Sequence, residues 1–128
     1  MAVVCMDTNA LMMPVECDLR VFEEVERLLP EAELVVPDAV RRELRNLAGG
    51  ASEEAVAASV GLDLAERCRP IAAESRETHA DDVVVSLARA GGCDYVVTND
   101  GPLRERLHDA GVPVIGLRGR NELAVTQP

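Results

Sequence analysis

Apolar residues recur along the chain in two periods. Short unbroken runs at Val3–Met6, Leu34–Val36, Tyr95–Thr98 and Val112–Leu117 are bounded by polar residues, Gly or Pro and predict buried strands, with a further short one at Pro70–Ala72. Between them the spacing turns helical. Leu19, Val21, Phe22, Val25, Leu28 and Leu29 predict an amphipathic helix over 19–29, with Asp18 as its N-cap and Pro30 as its stop. Leu11–Pro14 predicts a single apolar turn halted by its proline. Pro37-Asp38 opens a helix to about Ala48, and Ser52 caps one running to about Cys68, with Gly61 as its weak point. Thr78-His79-Ala80-Asp81 has capping-box spacing and launches a helix to Gly91-Gly92, with His79 as a helix-start residue, and a last helix spans 102–109. Strands alternating with helices predict parallel βαβ units, hence an α/β fold with helices on both faces of the sheet. One domain, residues 1–128, accounts for the length, and the polar stretch 119–128 reads as a loose tail.

The strands carry the first chemical hint. Val3–Met6 stops at Asp7, and Tyr95–Thr98 stops just before Asp100. Parallel strands bring their carboxyl ends to one edge of the sheet, where α/β folds place ligands, so the two acids should converge. An acid of the Asp81-Asp82 pair starts the helix that feeds the second of these strands, and Glu43 lies beside the apolar stripe Val40, Leu44, Leu47. Each also has a structural reading. Asp7-Thr8-Asn9 could be a strand-to-turn junction, Asp81 and Asp100 helix caps, and Glu43 a solvated partner of Arg42 or Arg45. Taken together, convergent carboxylates require a counter-charge, and hard oxygen donors suit Mg²⁺ or Mn²⁺. Such ions polarise phosphoryl groups and activate water.

Composition alters this picture in two ways. The four cysteines are widely spaced, with no Cys-x-x-Cys pair, which excludes a zinc motif and predicts reduced, mostly buried thiols. The net charge is −10 and all 13 basic residues are Arg, a composition that fits either a salt-rich cytoplasm of halophile type or a GC-rich genome. An acidic field disfavours nonspecific nucleic-acid binding at ordinary salt, but at about 1 M salt the Debye length is only about 3 Å, so acidity does not exclude an RNA substrate. Arg41, Arg42, Arg45, Arg104, Arg106, Arg118 and Arg120 are the available phosphate partners. With no long apolar run and no charged leader, the expectation is a soluble cytoplasmic protein without a membrane partner.

With these residues in view, the sequence resembles the PIN-domain family of metal-dependent ribonucleases. Four stretches carry the resemblance in order: Val3 to Leu11 with its Asp-Thr-Asn; Val36-Pro37-Asp38-Ala39-Val40-Arg41-Arg42-Glu43-Leu44; Ala80-Asp81-Asp82-Val83-Val84; and Val97-Thr98-Asn99-Asp100. The resemblance implies a three-layer α/β/α sandwich with a central parallel sheet and an acidic pocket for Mg²⁺ or Mn²⁺. It implies Asp7, Glu43, Asp82 and Asp100 as metal ligands and catalytic acids, with Asp82 preferred over Asp81 for its spacing to Asp100. Thr8, Asn9, Asp81, Thr98 and Asn99 would support those ligands or contact substrate. It further implies an endoribonuclease that hydrolyses RNA by in-line attack of an activated water. Leu11 to Glu16 and the paired acids look most similar to archaeal ribosomal-RNA-processing PIN proteins. The alternatives are a VapC-type toxin ribonuclease and a non-catalytic PIN-like module binding RNA or protein. A homodimer, an antitoxin or a ribosome-assembly partner would fit these roles. Two other readings fail on single residues: a response-regulator receiver needs a lysine that is absent, and a haloacid-dehalogenase-like phosphatase needs an acid where Asn9 stands.

Overall fold

The computed structural model describes residues 1–72 and 78–128. Six strands form one sheet in the order β3-β2-β1-β4-β5-β6: β1 (Val3–Met6), β2 (Glu33–Pro37), β3 (Arg69–Ile71), β4 (Tyr95–Val97), β5 (Val114–Arg118) and β6 (Glu122–Thr126). The first five are parallel, and β6 returns antiparallel to β5. Helices α1 (Thr8–Glu16), α2 (Val21–Leu28), α3 (Asp38–Leu47), α4 (Glu53–Ala65), α5 (Ala80–Arg89) and α6 (Gly101–Asp109) complete a three-layer α/β/α sandwich. The central strands are buried on both faces, as parallel strands between helices must be: Val4, Cys5, Met6, Val35, Val36, Val96 and Val97 are fully enclosed.

The chain leaves β1 for β2 on one side, while β4 lies on the other side of β1. The connections therefore diverge at the carboxyl ends of β1 and β4, which is where a crevice opens in a sheet of this type. Register places Met6 opposite Val97, so the residues that follow, Asp7 and Thr98, emerge side by side.

Several expectations are corrected. Pro14 does not halt the helix after Pro14; it sits inside α1, which begins at Thr8 and runs on to Glu16. A proline there forfeits one backbone bond, and the helix persists because Leu11 and Met13 are wholly buried and α1 packs closely on α4. Gly61 is the point of closest approach, where a Cβ would stand 3.1 Å from both the Leu11 carbonyl oxygen and Leu44 Cδ2. It is a packing requirement rather than a weak point. Asp18 adopts a left-handed backbone (φ 50°) and caps nothing; α2 begins two residues later than expected, with Arg20 at its N-cap. The capping box at Thr78 does not form either. The helix opens at Ala80, with His79 at the N-cap position and no side-chain cap bond. The supposed loose tail contains β6, pinned to α2 where Leu123 N–H donates to Glu24 Oε1 (2.9 Å) and Arg27 donates to the Leu123 carbonyl (2.7 Å).

The cysteines are free, with Cys5, Cys68 and Cys93 buried. Among the described residues no helix is long and apolar enough to cross a membrane.

Candidate active site

Asp7 and Asp100 each do two things. Asp7 is the N-cap of α1, its Oδ1 accepting from Ala10 N–H at 2.6 Å, and Asp100 is the N-cap of α6, its Oδ1 accepting from Leu103 N–H at 2.8 Å. The cap reading of Asp100 is correct and Asp7, read as a strand-to-turn junction, caps a helix as well, yet both also line one cavity of about 300 Å³ with Thr8, Asn9, Met12, Glu16, Glu43, Leu47, Glu54 and Asp81. Capping fixes one carboxylate oxygen and leaves the other for chemistry. The loops bearing the two acids are tied together by Asn9 Oδ1, which accepts from Asn99 N–H at 2.7 Å, and within the second loop Thr98 Oγ1 accepts from Asp100 N–H at 3.1 Å. Thr98, completely buried, reaches the Asp7 carboxylate as well and favours its ionised form. Thr8, Asn9, Thr98 and Asn99 are thus brought to the site, the last through its backbone.

Electrostatics mark the same place. Asp7 is only 3% exposed, and burial pushes its carboxyl up from 3.8 to about 7. Thr98 and Ala10 oppose that rise, while the charges of Asp81 and Asp100 add to it. Asp81 is raised too, first by partial desolvation and then by Asp100 and Glu43, with Arg106 pulling it back down. These acids repel one another across a shared space, which is the arrangement a cation relieves.

The adjacent pair is divided by the cavity wall. Asp81 lines the cavity, whereas Asp82 lies outside that lining and accepts from Arg106 Nη2 at 2.9 Å. Successive helical residues point about 100° apart, and here Asp81 turns into the cavity while Asp82 turns toward α6. Because α5 opens at Ala80 without the capping box, Asp81 is released from a capping role.

A family model described as a PIN like domain matches residues 4–120 of the chain. The chain belongs to that family. Among curated proteins, none matches it by sequence. Among solved structures, the PIN-like chain is similar to the "PIN domain endonuclease Utp24" (24% identity, TM-score 0.80, covering 98% of this chain and 92% of that one). It is also similar to a domain of a functionally unknown protein from Methanocaldococcus jannaschii DSM 2661 (19% identity, TM-score 0.69, 93% of each chain). These likenesses are of fold.

Glu16 and Glu54 are cavity residues of the PIN-like domain that sequence reasoning missed. Thr8, Met12 and Glu16 stand four residues apart and form one stripe of α1, a signal that ending the helix at Pro14 concealed. Glu54, in the first turn of α4, reaches the cavity only through packing between helices and left no local mark.

The donor set fits a hard divalent cation, being all oxygen and acidic. Thr8 Oγ1, buried with no hydrogen-bond partner, adds an unsatisfied oxygen at the same cavity. Among the described residues no three His, Cys, Asp or Glu side chains form a ready metal cage. Mg²⁺ does not require one, because it is commonly held by one or two carboxylates and keeps several waters. A larger cleft of about 430 Å³, around Phe22 and Arg67, shares no residue with the acidic cavity and lacks its clustered carboxylates.

Proposed function

We propose that this PIN-like domain is a metal-dependent endoribonuclease that hydrolyses RNA phosphodiester bonds. The observation that carries the reading is the convergence of Asp7 and Asp100, with Glu43 and Asp81, on one cavity at the carboxyl edge of the sheet. In this reading Asp7 and Asp100 are the principal ligands of Mg²⁺ or Mn²⁺, held rigid by their cap bonds to Ala10 and Leu103. Asp81 takes the part expected of Asp82. The ion supplies charge neutralisation for the phosphate and activation of water.

The chain's own groups do the remainder. Glu43, half-buried on α3, and Asp81 are the carboxylates that orient a water and accept its proton as its oxygen attacks phosphorus in line with the departing sugar oxygen. Asn9 keeps the two ligand loops in fixed relation and Thr98 braces the Asp100 loop, so that the acids do not splay apart under their own repulsion. Of the finer roles, ribosomal RNA processing is favoured by the resemblance of Leu11 to Glu16 and of the Asp81-Asp82 pair to PIN proteins of that kind.

Incubation of single-stranded and structured RNA with Mn²⁺, and in parallel with a chelator, tests the reading. Internal cleavage that requires the metal is expected. Binding of RNA with no cleavage in the presence of Mn²⁺ would favour a non-catalytic module instead.

A further inference from the structure

We infer that Arg106 engages an RNA phosphate at the rim of the acidic cavity, a positioning residue that Asp82 holds in place. The inference takes its substrate from the nuclease reading and its location from the geometry. Arg106 stands on α6, and its Nη2 donates to Asp82 Oδ1 on α5 at 2.9 Å. Its side chain is 46% exposed and that of Asp82 34%. A guanidinium has five N–H donors in a planar fork, so one bond to Asp82 fixes the group while leaving donors for a second anion, and the fork suits phosphate.

Arg106 is also singled out by where the other arginines go. Its partner Asp82 adjoins Asp81, which lines the cavity, whereas the acids paired with Arg20, Arg27, Arg41, Arg69 and Arg118 neither line it nor adjoin a residue that does, and Arg67 lies over the Phe22 ring at 4.2 Å. The charge of Arg106 is felt by Asp81, inside the cavity. The lining is acidic on every side: α1, α3 and α4 contribute Glu16, Glu43 and Glu54, which repel a phosphate, while beside Asp81 and Asp100 the α5–α6 side holds a cation just outside the lining. An RNA strand reaching the acids passes over the α5–α6 rim, and Asp82, placed just outside the cavity, serves as the anchor of the arginine.

Fluorescence anisotropy with a labelled single-stranded oligoribonucleotide, titrated on the Asp7→Asn protein over a series of KCl concentrations, separates this inference from the nuclease reading. Adding Arg106→Gln should weaken binding by about tenfold and make the dependence of log affinity on log salt shallower by about one. Arg106→Lys, which keeps the charge but not the fork, should restore the salt dependence and only part of the affinity. Arg20→Gln, remote from the cavity, should leave both unchanged. Equal salt dependence with Arg106 and with Gln overturns the inference, as does a protein that binds no RNA. Metal-dependent cleavage by the wild-type chain alongside either result leaves the nuclease reading intact. An Arg106-dependent salt slope in a protein that never cleaves overturns the nuclease reading alone.

Discussion

Replacing Asp7 by Asn should stabilise the metal-free protein at neutral and higher pH, and the amount can be worked from the site. The folded chain keeps the Asp7 proton up to about pH 7, whereas an unfolded chain gives it up near 3.8. A raised carboxyl contributes its stability in full below the unfolded value, and that contribution is lost as pH rises through the folded value. At about 1.4 kcal/mol per pH unit, the interval is worth roughly 4 kcal/mol by pH 8. Asn removes the titration but keeps an oxygen to accept from Ala10 N–H, and Asn and Asp serve equally as N-caps. Urea unfolding followed by circular dichroism in chelator should therefore give similar stabilities for wild type and Asp7→Asn at pH 4. By pH 8 the variant should lead by about 2 to 4 kcal/mol. The two stability curves running parallel across that range, or the variant falling below wild type at pH 8, would refute the reasoning and make Asp7 a structural residue.

Two further outcomes follow from the same geometry. Asp81→Asn should abolish metal-dependent cleavage even at saturating RNA, while Asp82→Asn should retain most of the rate at saturation; single-turnover kinetics at high RNA concentration distinguish them, and the reverse pattern would return Asp82 to the cavity. Gly61→Ala should cost about 1 to 3 kcal/mol in urea unfolding, because the added Cβ meets the Leu11 carbonyl of α1 and Leu44 of α3 at 3.1 Å where three helices pack together.

The parts of the fold that were legible are those whose signal is local. The four main buried strands announced themselves as apolar runs, and parallel alternation then implied that Asp7 and Asp100 would meet. Where the reading failed, a rotation or a distant contact decided. Spacing to Asp100 favours Asp82 over Asp81, but spacing along the chain does not say which of two adjacent helical residues, about 100° apart, turns toward the cavity. Stopping α1 at Pro14 hid the Thr8, Met12, Glu16 stripe, because the burial that overrides a proline comes from α4 and not from the neighbouring sequence. Strand β6 alternates Leu123 and Val125 with more polar neighbours and pairs with the adjacent β5 in a hairpin, but the bonds to Glu24 and Arg27 that pin it join residues nearly the whole chain apart. Glu54 had no sequence signal at all.

Cleavage of RNA by wild type and by Asp7→Asn/Asp100→Asn, each with Mn²⁺ and with chelator, tests the central claim most directly. Internal cuts by wild type that need the metal and vanish in a double variant that remains cooperatively folded are the expected result. Cleavage that survives in the double variant, or that proceeds equally well in chelator, would contradict the assignment of Asp7 and Asp100 as the acids that hold the ion.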